Sequence, residues 1–350
     1  MTTSLRKSRE DILEVTLALL WRQWTLLGVP GQLLEKAENS PSVIDPEALL
    51  LATSRLGRFD PRLLAEALNW LKAFGKFISI QRLKTLHQLN PHKEPRELAA
   101  IASTLQESSR QAKWRAIEDL ATLSAGGESL YRSAEGTDFP RGGTPDPHFA
   151  KFGLFRAMPK GVSKFSKADL EASMARHIVQ HPELFLIKLR ALFGVNARAE
   201  IIAALLTRSS SHPAELALHI GYLARSIQDT LNEMTLSGLL ASHRAAGSRE
   251  KHFSLRPSDW TFLITWPEPR FPVWIDWAAL YALLQDIIAT LYSDEIREAS
   301  PLMTALRLRQ TFDRHQLALA RSGLAAHFLK SAQTTGVDFV EALAAELHLF

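Results

Sequence analysis

Apolar residues recur at helical spacing along most of the chain. Ile12, Val15, Leu19, Trp21 and Leu26 form one stripe between a Ser8 N-cap and Gly28, predicting a helix over 8–28. A polar loop over 29–45 follows, then a helix from about Pro46 to Leu56. Asp60 and Pro61 open the next, whose stripe of Leu63, Leu64, Leu68 and Leu71 ends at Gly75. The short run from Lys76 to Ile80 reads as a strand, and helices fit 94–107 and 109–123. Residues 46–90 also permit a second, degenerate winged helix. Further helices fit 166–180, 182–193 and 273–293, with two or three more in the last 55 residues. The apolar segment 260–266 reads as a strand or a buried extended piece. The expected fold class is mainly α: a helical domain over 1–123, a linker or loop over 124–165, helices from 166 leading into a winged helix-turn-helix at 198–256, and a helical dimerisation or partner region at 257–350.

Two segments break the helical pattern. Residues 124–147 hold five of the 17 glycines and three of the 17 prolines, the composition of a linker or long mobile loop. Residues 151–167 carry Lys151, Arg156, Lys160, Lys164 and Lys167 with no acid, interleaved with Phe152, Phe155 and Phe165. Such a stretch suits either an arm that tracks a nucleic-acid strand or a connector whose phenylalanines plug the core. The second reading is the more economical, since lysines at turns are ordinary.

The most patterned segment is 198–256. A helix over Arg198–Thr207 precedes a second over Pro213–His219. Gly221 closes the second, and a third runs from Leu223 or Ala224 to about Ser237, closed by Gly238. Two helices joined by a tight glycine turn make a helix-turn-helix. Ile201, Leu205, Leu206, Leu216, Ile220, Ile227, Leu231 and Met234 are spaced to share one core. Leu239–Arg244 and Glu250–Leu255 then flank Ala245–Ser248 as a β-hairpin.

On His212-Pro213-Ala214-Glu215-Leu216-Ala217, Gly221, the Ile227/Leu231/Met234 stripe, Ser237-Gly238-Leu239 and the basic strand Lys251–Leu255, the segment resembles the winged helix-turn-helix domains of ArsR- and MarR-like bacterial regulators. The resemblance spans about 60 of 350 residues. It implies a third helix that enters the DNA major groove, presenting Ala224, Arg225, Ser226, Gln228 and Asn232, with Tyr222 at its entry. Arg225 suits guanine, and Gln228 or Asn232 adenine. It places Arg244, Arg249 and Lys251 of the wing on phosphates. Leu223 departs from the Ser or Thr common at such helix entries, and Asp229 puts a negative charge on the reading face. The whole chain is similar, more loosely, to two-part bacterial regulators encoded beside nucleotidyltransferase toxins. Arg58–Arg62, Leu68–Leu71, Ile80–Leu83 and Leu189–Gly194 carry that similarity. The implied role is a DNA-binding repressor or autoregulator, working as a homodimer on double-stranded DNA. The alternative is an antitoxin-like or defence-complex subunit that binds a toxin or effector protein and whose winged helix is structural.

Composition narrows the chemistry. The chain has no cysteine, which excludes thiolate nucleophiles, disulfides and Cys-ligated metals. The net charge of +4 divides unevenly: residues 1–256 hold 34 Lys+Arg against 26 Asp+Glu, and 257–350 hold 7 against 11. Over 198–256 the balance is only 7 to 5, modest for a DNA reader. His177 and His181 stand one helical turn apart, a metal-ligand spacing, but the glutamate of a zinc-protease motif is missing. No phosphate loop, nucleophile elbow or dinucleotide fingerprint occurs. The expectation is a protein that is not an enzyme and needs no cofactor. No signal peptide and no uninterrupted apolar span are visible, so no membrane association and a cytoplasmic location are expected.

Overall fold

The computed structural model describes residues 3–31, 41–90, 95–109, 111–158, 166–208, 210–244, 250–297 and 299–350. The chain is mainly helical, with two small two-stranded sheets. The first helices are α1 (Thr3–Leu26), α2 (Pro46–Leu56), α3 (Pro61–Phe74), α4 (Ile80–Leu89) and α5 (Arg96–Ser109). Their starts follow local chemistry. The Asp45 carboxylate accepts from the Ala48 amide, Asp60 from Arg62 and Leu63, and Ser79 from Arg82. Asp60 also accepts the Trp21 indole N–H at 2.6 Å, so one residue caps α3 and ties it to α1.

Three expectations change here. Residues 76–80 form a 3₁₀ turn over Gly75–Phe77 and the Ser79 cap of α4, not a strand. Helix 109–123 is reduced to a 3₁₀ turn at Ala112–Trp114 and one helical turn at Arg115–Glu118, which together bury Trp114 and Ile117. Residues 124–147 are no plain linker. They supply β1 (Ser124–Ser129), which pairs in parallel with β2 (Phe152–Phe155) in the register Ser124 to Phe152 and Ser129 to Phe155. The glycine that close backbone approach requires lies in β2. Gly153 has φ +75°, and a Cβ there would lie 2.9 Å from Ser124 Oγ. Within the basic stretch, Phe152 is buried and Phe155 half-buried, as a connector filling the core requires; Lys160, Lys164 and Phe165 lie outside the described residues.

The chain continues through α6 (Lys167–Gln180), α7 (Phe185–Phe193), α8 (Ala197–Leu205), α9 (Pro213–Ile220) and α10 (Ala224–Thr235). The antiparallel hairpin of β3 (Leu240–Arg244) and β4 (Lys251–Leu255) follows. Residues 257–263 form a 3₁₀ helix where a strand was expected. Trp260 and Leu263 stand three residues apart and both are buried, the period that such a helix aligns. The last long helices are α11 (Trp277–Leu291), α12 (Pro301–Ser322) and α13 (Gly336–Leu347). The helices over 46–90 are followed by no hairpin among the described residues.

Two hydrophobic cores result. The larger joins α1–α5, the first sheet and α11–α13 around Trp24, Trp70, Trp114, Trp277 and Phe312. The smaller joins α7–α10, the hairpin and the segment to Trp274 around Phe185, Ile201, Leu216, Ile227, Leu231 and Phe253. The chain thus leaves the larger core within α7, whose Ile187 still belongs to it, builds the smaller one, and returns at Trp277. No described helix is long and apolar enough to cross a membrane.

Candidate nucleic-acid interface

The smaller core carries α10 on its rim. His212 caps α9 by accepting from the Ala214 amide, and Pro213 fills the first turn. Gly221 ends α9 in the left-handed region at φ +72°, returning its N–H to the Ala217 carbonyl. Leu223 then opens α10 without a side-chain cap. Only Ile227 and Leu231 of the twelve α10 residues are buried. Met234 packs at the edge of that core, and Arg198 pairs with Glu233. Ala224, Arg225, Ser226, Asp229 and Asn232 are exposed, and Gln228 is half-buried.

The hairpin lies beside this face. Leu240 pairs with Leu255, Ser242 with Phe253 and Arg244 with Lys251. Side chains alternate across a strand, so Lys251 shares the inner face with Phe253 and Leu255. Its ammonium lies over the Phe253 ring at 4.7 Å and reaches the Asn232 side-chain oxygen at 3.4 Å. Gln228 donates to the same oxygen at 3.3 Å. Arg244 is exposed toward the hairpin tip. Ser211, in the α8–α9 connection, exchanges two backbone hydrogen bonds with Phe253 at 3.0 Å and extends the hairpin toward the helices.

The structure therefore brings Arg225, Gln228, Asn232, Arg244 and Lys251 onto one side of α10 and the hairpin. Arg249 lies outside the described residues. Tyr222 does not join the group. It packs on the smaller core, its hydroxyl is buried without a partner among the described residues, and burial pushes its pKa well up. The reason is the turn itself: after left-handed Gly221, residue 222 is directed inward. Arg225 has no ion pair among the described residues, whereas the acidic Glu233 is neutralised by Arg198. Asp229 remains exposed on this face. On the other side of the hairpin, His252 lies between His212 and His243, with ring centroids 5.9 Å apart in both pairs. His177 and His181 face each other at 5.1 Å, but His177 Nδ1 is engaged with the Leu26 carbonyl. No group of three potential metal ligands occurs among the described residues.

A second cluster, between the two cores, was not singled out by pattern. Arg82 of α4 is fully buried. Its Nη1 donates to Asp45 Oδ1 at 2.5 Å and to Glu47 Oε2 at 2.7 Å, its Nη2 to Asp45 Oδ2 at 2.5 Å, and its Nε to the Ile220 carbonyl at 2.6 Å. Arg190 of α7 meets both oxygens of Glu47 at 2.7 Å and the Phe77 carbonyl at 2.6 Å, and pairs with Glu200 of α8. Three carboxylates thus share two guanidiniums with almost no solvent exposure. Burial alone would raise the Asp45 carboxyl, but Arg82 outweighs it and holds the group below the usual range. His219 nearby is forced neutral, to about 3, by burial and then by Arg208 and Arg82. Asp276, the cap of α11, is raised to about 6 by burial, with Asp45 adding to the rise. The sequence did hold a signal for this cluster: Glu47, Arg190 and Glu200 each interrupt an otherwise apolar helical run.

Comparison with family models, with curated proteins and with solved structures finds no match to this chain.

Proposed function

We propose that the chain is a DNA-binding regulator that reads duplex DNA with α10 and steadies itself with the β3–β4 hairpin. The observation that carries this reading is a twelve-residue helix that fully buries only two residues, with Arg225 exposed on its outer side and in no ion pair among the described residues, and Arg244 and Lys251 alongside. A helix that contributes so little to the core is free to enter a groove about 12 Å wide. In this reading α8, α9 and α10 with the hairpin are a winged helix-turn-helix, Arg225 and Asn232 face base edges, and Lys251 and Arg244 face phosphates. A homodimer would set the spacing of two half-sites.

Fluorescence anisotropy against the DNA upstream of the gene tests it. Binding is expected at about 50 mM salt and should weaken steeply as salt rises, because phosphate contacts release counterions. A chain that leaves both this DNA and random duplex unbound at low salt is not such a regulator. A second reading, a subunit that docks a toxin or effector protein, draws on different residues. Leu223 is 63% exposed and Leu236 89%, one at each end of α10, and Asp229 opposes phosphate between them.

A further inference from the structure

The turn between α9 and α10 is held by the other core. Arg82 donates to the carbonyl of Ile220, the last residue of α9. Leu86, one turn further along α4, covers Gly221 so closely that a Cβ there would fall 2.6 Å from its Cδ2. Gly221 is thus required twice, by its left-handed backbone and by the approach of α4. The next residue, Tyr222, faces the same charged cluster. Since α10 fully buries only Ile227 and Leu231 in its own core, with Met234 packed at the edge, its direction depends in part on this turn.

We propose that Arg82 and Leu86 are positioning residues for α10: they fix the α9–α10 turn, so the larger core sets the attitude of the helix that reads DNA. The inference rests on the DNA-reading assignment for its functional half, and on the geometry of the turn for its structural half. Asp45 and Glu47 hold the Arg82 guanidinium in the orientation that serves Ile220, and Arg190 holds Glu47 in turn. Any ligand or partner that shifts α4 therefore changes DNA affinity without touching the reading face.

The test uses the full chain with Arg82→Lys, which keeps the charge but cannot reach both carboxylates and the Ile220 carbonyl, and with Leu86→Ala. Hydrogen exchange is followed separately over 213–235 and over α3 and α5. In either variant the amides of 213–235 should exchange about tenfold faster while α3 and α5 keep their protection. Affinity for the upstream duplex should fall about tenfold, with random-duplex binding retained. Gly221→Ala should mimic both effects, and Leu86→Ala should partly relieve it in the double variant. Unchanged exchange over 213–235 overturns the inference, and so does a rise shared equally by α3 and α5, which marks a general loss of stability. Faster local exchange with unaltered upstream-DNA affinity overturns the functional half. If the wild-type chain binds no duplex, the DNA-reading assignment fails instead, and exchange alone still decides whether α4 holds the turn.

Discussion

Single residues separate the two polar groups of this protein. Arg225 is exposed and in no ion pair among the described residues, so its removal costs the fold almost nothing. If α10 reads DNA as proposed, Arg225→Ala should leave the urea midpoint unchanged and weaken specific DNA binding by ~1–3 kcal/mol, relaxing preference at one base pair. Lys251→Ala should instead weaken all duplexes alike and lower the salt slope by about one. Anisotropy titrations at several salt concentrations distinguish the two. His219 and Asp276 make opposite demands on pH. His219 is neutral in the fold to about pH 3, while the unfolded chain takes up a proton below about 6.5. Its contribution is full above that pH and is lost on acidification, by at most ~1.4 kcal/mol per unit. Asp276 is held protonated up to about 6, while the unfolded carboxyl ionises near 3.9. Its contribution is full at low pH and is lost as pH rises from about 4 to 6. The two slopes oppose each other between about pH 4 and 6. Chemical denaturation should then show stability rising on acidification in His219→Gln and falling in Asp276→Asn, with the wild type between them. Equal slopes in the two variants would contradict these assignments.

Among the elements, the Asp60 cap stands where the sequence put it, whereas Ser8, expected as a cap, lies inside α1, which starts at Thr3. Asp45, Asp60, Ser166, Asp276 and Ser300 each accept from a backbone amide at a helix start. Such caps act over three residues, so they are legible without knowledge of the fold. Strands were less legible. Phe77–Ile78 and Trp260–Ile264 have strand-like composition, yet no neighbouring strand pairs with them, and isolated strands gain nothing. The glycine-rich run at 124–129 has loop composition and forms β1, because its partner β2 lies some 25 residues away. Gly153→Ala tests that pairing. The added methyl meets Ser124 at 2.9 Å on a backbone with positive φ, so a loss of ~1–3 kcal/mol is expected in urea unfolding. A neutral result would mean that the β1–β2 contact is loose.

At the scale of the whole molecule, the two cores meet through charge rather than through apolar contact alone. Buried ion pairs add little net stability against an apolar replacement, but losing one partner strands the others. Glu47 is shared by Arg82 and Arg190 and also accepts the Ser79 amide at 2.6 Å. Glu47→Gln should therefore cost ~3–5 kcal/mol, whereas breaking the exposed Arg270–Glu268 pair should cost under ~1 kcal/mol. Urea midpoints of Glu47→Gln and Arg270→Ala compare them directly, and similar small losses would show that the junction does not depend on its charges. Directional bonds also admit few relative placements of the two cores, which apolar surfaces would not ensure.

Periodicity gave most of the long helices, the Asp60 cap, the α8–α10 and hairpin order, and the exposed residues of α10. These follow from periodicity and from capping chemistry that acts within a few residues. The sequence by itself also determined what chemistry is missing, since a chain without cysteine has no thiolate. Only the tertiary structure decided that Tyr222 turns inward, that Ser124–Ser129 is a strand, and that Arg82 reaches Ile220 from 138 positions away. Each of these depends on a partner distant in sequence. The charges at 45, 47, 82, 190 and 200 meet only because the two cores pack together and remove their water.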